Sequence, residues 1–469
     1  MKENINVDLA ILGGGPGGYT AAFRAADLGL SVCLIEKRNT LGGVCVNVGC
    51  IPSKTLLHGA AILEEAREAA EMGISFAQPG VDLNKLRDYK NNTISNLTGG
   101  LDSLCKARKI IRVNGQGFFQ DQNTLRIEGT NGQLVTFNHA IIATGSRPVS
   151  LPIAPQDPRI WNSTDALALN RVPEKMLIVG GGIIGLEMAQ VYSALGSEIT
   201  IVEALDQIIP SADKDVVQPL VKKLKKEYRI FTRTSVTEML STEEGVKVAM
   251  EGKKAPDPEI YDAVLVAVGR RPNTLEIGLE ELGIETDDKG LIPVNDQMQT
   301  KLANIFAIGD IVAGPMLAHK ASHEAKIAAE VISGHEAGFG SPAIPSVAYT
   351  SPEIAWVGLT EKEAKAAGVV YDTGKVPWIV SGRAQSAGAS NGVTKLLFDK
   401  ESGKVLGAGI CGANAGELIH EVAVAIETGA TAKDIANTIH AHPTLAETIA
   451  FGAELVEGSV TDMLPQRRR

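Results

Sequence analysis

The sequence predicts an α/β fold: two Rossmann-like dinucleotide-binding domains and a C-terminal α+β domain. Three observations carry that prediction. A short apolar run breaks into a glycine cluster, then an alanine-rich stretch, then a second apolar run that ends in an acid. The same series returns 167 positions later (180 − 13). From about Pro345 the glycine fingerprint disappears and short alternating runs take over. We expect boundaries at 1–147, 148–274, 275–344 and 345–469, with three or four domains a reasonable number for 469 residues.

In chain order, Val7–Leu12 reads as a strand, Gly13-Gly-Gly15-Pro-Gly-Gly18 as a tight turn, Tyr19–Gly29 as a helix and Ser31–Glu36 as a second strand. Gly13, Gly15 and Gly18 let the turn close and let backbone N–H groups approach a pyrophosphate at the helix N-terminus. Glu36 can take both hydroxyls of a ribose. A lone Gly-x-Gly-x-x-Gly is often only a loop; set between strand and helix it signals a dinucleotide site.

Immediately after this unit, Leu41–Lys54 places Cys45 and Cys50 among glycines with a lysine beyond. On one helical start they would lie just over a turn apart, and a helix N-terminus would lower a thiol pKa. Zinc would need two further ligands at matching spacing, and no second cysteine pair or nearby Cys/His cluster supplies them. A structural disulfide is disfavoured because nothing else in the chain looks secreted. Cys33, Cys105 and Cys411 sit in apolar surroundings and read as inert buried thiols.

Ile110–Ala143 reads as a sheet-like insertion ending at Ala143-Thr144-Gly145-Ser146-Arg147-Pro148. The second unit follows: strand Met176–Val179, turn Gly180-Gly-Gly182-Ile-Ile-Gly185, a helix to about Leu195 and strand Glu198–Glu203. Glu203 follows Gly185 by 18 positions (203 − 185), as Glu36 follows Gly18 (36 − 18). Two dinucleotides are therefore expected, with electrons passing between them. Ala204–Pro210 holds no arginine or lysine to receive a 2′-phosphate, which favours NAD over NADP. Ala263–Asn273 closes this unit. Ile305–Asp310 is another short strand, in which Asp310 alone reads as a turn or cap residue. The last part alternates strands (Ile354–Val357, Thr394–Phe398) with helices (Glu361–Ala367, Glu417–Glu427, Ala432–Thr438). Near its end, Thr444-x-x-Glu447 fits a capping box, and on the residues alone that structural reading is preferred to a catalytic one.

A net charge of −10 argues against a nucleic-acid surface, and Arg467–Arg469 reads as a solvated tail. No apolar run reaches the length of a membrane span, and Met1–Asn6 is too short and polar for a signal peptide. No membrane association and a cytoplasmic location are the expectation. No resident metal is expected.

With Gly43-Val-Cys45-Val-Asn-Val-Gly-Cys50-Ile-Pro-Ser-Lys54, Gly314-Pro-Met316-Leu-Ala-His319-Lys-Ala and His440-Ala-His442-Pro-Thr-Leu-Ala-Glu447 on the page, the chain resembles the flavin disulfide oxidoreductases (class I pyridine nucleotide-disulfide oxidoreductases) over nearly its whole length. The resemblance implies FAD in the first fingerprint and NAD in the second, a redox disulfide between Cys45 and Cys50, and a C-terminal dimerisation domain. Glu36, Lys54, Gly117, Thr144, Gly145, Ser146, Asp310, Met316, Leu317, Ala318 and His319 would complete the FAD site, with Glu187 as partner of Lys54. Gly180, Gly182, Gly185, Glu203, Val236 and Gly269 would hold NAD. The implied chemistry is oxidation of protein-bound dihydrolipoyl groups: His442, oriented by Glu447, removes a proton from the dithiol, its thiolate attacks Cys45, and the electron pair leaves through Cys50. A homodimer is implied, with His442 of one subunit serving the disulfide of the other across a cis His442–Pro443 bond. The implied partners are lipoyl domains and the acyltransferase component of 2-oxo acid dehydrogenase complexes, or the lipoyl protein of a glycine cleavage system. Four rivals are weighed: a glutathione reductase-like NADPH-dependent disulfide reductase, whose basic residues after the second fingerprint are missing here; a mercuric reductase, which would need a C-terminal cysteine pair where the last cysteine is Cys411; a soluble pyridine nucleotide transhydrogenase, which usually lacks the second cysteine; and a flavin-binding subunit without turnover. Ala321-Ser-His-Glu324 departs from the acidic run frequent in the family, with no expected effect on chemistry.

Overall fold

The computed structural model describes residues 4–129, 132–340 and 343–464; the basic tail Arg467–Arg469 lies outside them. The first unit contains β1 (Ile5–Leu12), α1 (Pro16–Asp27), β2 (Val32–Glu36), α2 (Gly43–Val48), α3 (Cys50–Glu68), α4 (Leu83–Ala107), β3 (Ile111–Asn114), β4 (Gln116–Asp121), β5 (Thr124–Glu128), β6 (Leu134–Ile142) and β7 (Ser146–Pro148). Strands β3, β2, β1 and β6 are parallel neighbours in that order, while β5 and β4 continue antiparallel. The stretch expected as an insertion is therefore part of the first sheet. Strand β6 pairs with β1 from Val135 to Ile142, because Val135, Phe137, Ala140, Ile141 and Ile142 are buried and need both neighbours.

The second unit repeats the plan with β8 (Ile160–Trp161), α5 (Ser163–Ala168), β9 (Lys175–Val179), α6 (Ile183–Ala194), β10 (Glu198–Glu203), α7 (Lys214–Glu227) and β11 (Arg229–Thr232). A small antiparallel sheet of β12 (Thr234–Ser241), β13 (Val246–Gly252) and β14 (Glu259–Tyr261) follows, then β15 (Ala263–Val266) and β16 (Arg270–Pro272). Its main sheet is wholly parallel in the order β11-β10-β9-β15-β8. The two stretches read as domain junctions meet: β16 pairs antiparallel with β7, Arg271 opposite Arg147, making one short ribbon between the units.

Residues 275–344, expected as a central domain, contribute β17 (Ile305–Ala307) and α8 (Ala318–Ile332). Strand β17 pairs with the C-terminal half of β6, and α8 lies against α1. Ile305, Phe306, Ile308 and Ala325 share cores with residues of the first unit. The last unit has β18 (Ser346–Ala348), β19 (Glu353–Gly358), α9 (Glu361–Ala366), β20 (Tyr371–Pro377), α10 (Gly382–Ser386), β21 (Val393–Asp399), β22 (Val405–Gly412), α11 (Ala415–Glu427), α12 (Ala432–Asn437) and α13 (Glu447–Glu457). Its antiparallel sheet runs β18-β19-β22-β21-β20. Among the described residues no helix is long and apolar enough to cross a membrane.

Candidate active site

Both glycine turns use the same geometry. Gly13 and Gly180 adopt φ of 110° and 111°, a region closed to most side chains. A Cβ on Gly18 would lie 1.7 Å from the Gly13 carbonyl oxygen, and one on Gly185 2.2 Å from that of Gly180. These third glycines set helix against strand and do not line the cavity, whereas Gly13, Gly15, Gly180 and Gly182 do. Gly182 has nothing within 4 Å of its Cβ position, and Gly15 only the Cα of Gly43 at 3.8 Å. The acids behave alike too. Glu36 accepts the N–H groups of Gly14 and Arg38, both at 2.8 Å; Glu203 accepts those of Gly181 and Leu205, both at 2.7 Å.

A single cavity of about 1690 Å³ joins the two turns. It exceeds the ~300–1,000 Å³ of a pocket for one small ligand. Glu36, Gly117, Thr144, Gly145, Ser146, Asp310, Met316, Leu317, Ala318 and His319 line it on one side, and Glu203, Val236 and Gly269 on the other. Bare backbone facing a long cavity at two helix N-termini, each beside a buried carboxylate, fits two dinucleotides.

The dithiol lies where these halves meet. Helix α2 stops at Gly49, whose φ and ψ of −141° and −111° break the path before α3 begins at Cys50. The single helical start expected from spacing is thus two helices, and the cysteines face each other across the break. The structure shows them as two thiols, not as the disulfide implied for the oxidised state. The Cys45 thiol donates to the Cys50 sulfur. With help from the Lys54 ammonium, this pulls the Cys50 pKa down to about 7; the same donation and burial push Cys45 up. Lys54 Nζ contacts both oxygens of Glu187 at 2.9 and 3.0 Å. Glu187 is buried and also accepts the Ser53 hydroxyl at 2.6 Å and the Tyr349 N–H at 3.2 Å. The Tyr349 ring lies 4.4 Å beneath the ammonium. Ser53 and Tyr349 escaped sequence reasoning, since only the fold brings β18's end to α3 and α6.

Around Asp310, Ser146 Oγ donates to the carboxylate at 2.5 Å and receives Arg270 Nε at 2.7 Å. Thr144 Oγ1 donates to the Asn273 carbonyl at 2.7 Å. His319 Nε2 meets the Pro345 carbonyl at 2.8 Å, and burial lowers its pKa. The family departure at Ala321–Glu324 has a structural part: Glu324, buried and ion-paired with Lys320 at 2.7 Å, accepts the Gly309 N–H, while Lys320 donates to the Gly309 carbonyl. That pair braces the loop carrying Asp310.

His442 and Glu447 lie apart from the cavity. Glu447 Oε1 meets His442 Nδ1 at 2.8 Å, and Oε2 accepts the Thr444 N–H at 2.7 Å. The capping box favoured on the residues alone is only half present, because the Thr444 hydroxyl donates back to the Ala441 carbonyl and α13 has no side-chain cap. One carboxylate oxygen caps and the other orients the imidazole, which is 78 % exposed and whose Nε2 has no hydrogen-bond partner among the described residues. The His442–Pro443 bond is cis.

A family model described as pyridine nucleotide-disulphide oxidoreductase matches residues 7–325, and one described as the dimerisation domain of the same family matches 344–451. The chain belongs to this family of oxidoreductases. The pyridine nucleotide-disulphide oxidoreductase fold, its FAD and NAD cofactors and its homodimeric assembly come with that membership. The chain is similar to the dihydrolipoyl dehydrogenases of Vibrio cholerae (54 % identity, 99 % of this chain and 98 % of that one) and Bacillus subtilis (45 %, 97 % of each). Among solved structures it resembles LpdA from Mycobacterium tuberculosis (TM-score 0.88, 26 % identity, 96 % of this chain and 99 % of that one). It also resembles the HOCl-induced flavoprotein disulfide reductase RclA from Escherichia coli (TM-score 0.86, 27 %, 97 % and 100 %).

Proposed function

We propose that this oxidoreductase is a dihydrolipoyl dehydrogenase, oxidising protein-bound dihydrolipoyl groups to lipoyl disulfide while NAD is reduced to NADH. The observation that carries the reading is full-length identity of 44–54 % to dihydrolipoyl dehydrogenases in a chain that keeps the dithiol, the Lys54–Glu187 pair and the His442–Glu447 pair.

Each residue's part follows from its contacts. With Nδ1–H held by Glu447, His442 presents Nε2 as a proton acceptor, so it takes the proton of one substrate thiol. The thiolate attacks Cys45 of the oxidised pair; a substrate–Cys45 bond forms as the Cys45–Cys50 bond breaks. Cys50 leaves as thiolate, which its low pKa and Lys54 favour. The second substrate sulfur then displaces Cys45, which departs as the thiol by taking a proton, and lipoyl disulfide is released. Glu36, Ser146, Asp310 and the Met316–His319 segment would hold FAD, which when bound would supply the relay of the electron pair from the dithiol to NAD. Glu203, which lines the cavity and has no basic neighbour in Ala204–Pro210, would hold the NAD ribose.

The His442 segment of one subunit completes the dithiol site of the other. Mixing inactive Cys50→Ser and His442→Gln subunits, with exchange verified, should restore activity; no recovery would exclude shared sites. The domain division at 1–147, 148–274, 275–344 and 345–469, a cytoplasmic setting, and service to lipoyl domains of 2-oxo acid dehydrogenase complexes or a glycine cleavage system belong to the same proposal. The deciding assay follows NADH formation from NAD and dihydrolipoamide against consumption of NADPH with glutathione disulfide. Turnover only in the second mixture would replace this reading by the glutathione reductase-like one.

A further inference from the structure

Among the titratable pairs the mechanism does not use, one sits beside His442. From Asn437 to Pro443 every residue is exposed except His440, whose side chain is only 8 % exposed. It points back into the last unit: Nε2 meets Glu421 Oε1 on α11 at 2.9 Å, and Nδ1 meets the Thr438 carbonyl oxygen at 2.8 Å. A backbone carbonyl only accepts, and so does an ionised carboxylate. Both ring nitrogens must therefore donate, which requires the imidazolium. Glu447, the orienter of His442, and Glu454, both on α13, add their fields to that of Glu421, and His440's pKa is raised, the Glu421 bond being the largest cause.

We propose that His440 is a positioning residue, an imidazolium that pins the loop presenting His442 to α11 through Glu421 while Glu447 pins its other end to α13. Without it the loop from Thr438 to Pro443 is held by its own side chains only through Thr438 on the Asp434 carbonyl and His442 on Glu447, with no side-chain hydrogen bond among the described residues tying its middle to α11, and the backbone that carries His442 loses its fixed position. The inference rests on the reading of His442 as the proton acceptor.

The test uses the FAD-loaded dimer and two assays. Oxidation of dihydrolipoamide with NAD needs the His442 loop; oxidation of NADH by ferricyanide needs only the cofactor sites. His440→Gln, whose donors sit on a single nitrogen and cannot reach both Glu421 and the Thr438 carbonyl as the two ring nitrogens do, should lower kcat/KM for dihydrolipoamide about tenfold or more, a misaimed group costing up to ~100-fold, with the ferricyanide rate unchanged. Glu421→Gln removes the anion that keeps His440 charged, so His440 loses its proton at a lower pH than in the parent. The ratio of variant to parent kcat/KM should then be near one below the ordinary histidine range and fall as pH rises through ~6.5. A purely structural role gives a deficit independent of pH. An unchanged kcat/KM in His440→Gln, equal losses in both assays, or a pH-independent ratio in Glu421→Gln would each overturn the proposal. If His442→Gln leaves dithiol oxidation intact, the underlying reading of His442 fails instead.

Discussion

At the scale of single residues, the dithiol's asymmetry comes from one hydrogen bond and one ammonium. Removing the donor in Cys45→Ala should move the Cys50 titration of the reduced protein up from about 7 towards an ordinary thiol, followed by ultraviolet thiolate absorbance against pH. Lys54→Met should push the same titration in the same direction, since it removes the positive charge that favours the thiolate. An unmoved titration in both variants would mean that the helix start at Cys50, not these two groups, sets the value. Glu187 is the reciprocal case: its buried carboxylate holds an ammonium, a hydroxyl and a backbone N–H. Glu187→Ala should lower stability by about 3 kcal/mol, because the partners lose a charge-assisted network; chemical denaturation of the holo dimer measures it.

At the scale of elements, the glycines of one turn divide into two mechanical classes. Gly185 is where α6 touches the strand-end carbonyl of Gly180, so Gly185→Ala should force helix from sheet and cost about 1–3 kcal/mol by overpacking. Gly182, with open space at its Cβ position, should accept alanine with an unchanged melting temperature and a raised KM for NAD, because the methyl stands where the cofactor backbone approaches. Equal melting losses in the two variants would contradict this division.

The whole molecule is held together by polar joints between units. Lys395 of β21 is buried against Asp213 and Asp215, beside and within α7, and Glu361 of α9, at 3.0, 3.0 and 2.5 Å. The pKa of Asp215 and that of Glu361 are lowered despite burial, and that of Lys395 is raised. The carboxylates thus stabilise the fold above their unfolded pKa values and lose this as pH falls through the lowered folded values. The lysine contributes below its unfolded pKa and loses it as pH rises through the raised one. Lys395→Met leaves three carboxylates within 4.8 Å of one another, with Lys375 still paired to Asp215 and Lys365 to Glu361. It should cost about 3–5 kcal/mol at neutral pH, and its melting temperature should rise on mild acidification where the parent's falls. Parallel pH trends in parent and variant would count against a charge-driven joint.

Local pattern was enough for the two nucleotide turns, the acids that close them, the preference for NAD and the singling out of Cys45 and Cys50, because strand, turn and helix signals and cysteine spacing act within a few tens of residues. Sequence neighbours could not place β6 and β17 in the first sheet, since pairing across 130 positions for β6 on β1 (135 − 5) and 165 for β17 on β6 (305 − 140) is decided by burial of both faces. Nor could they reveal Tyr349 under Lys54, the bonds of Lys320 and Glu324 to Gly309, or His440 turned inward on Glu421; each is a contact made by packing between elements. Glu447 marks the boundary. Its spacing from Thr444 satisfied a capping rule, and only the folded loop, bringing Nδ1 of His442 onto the second carboxylate oxygen, decided that the same side chain also fixes the orientation of an imidazole.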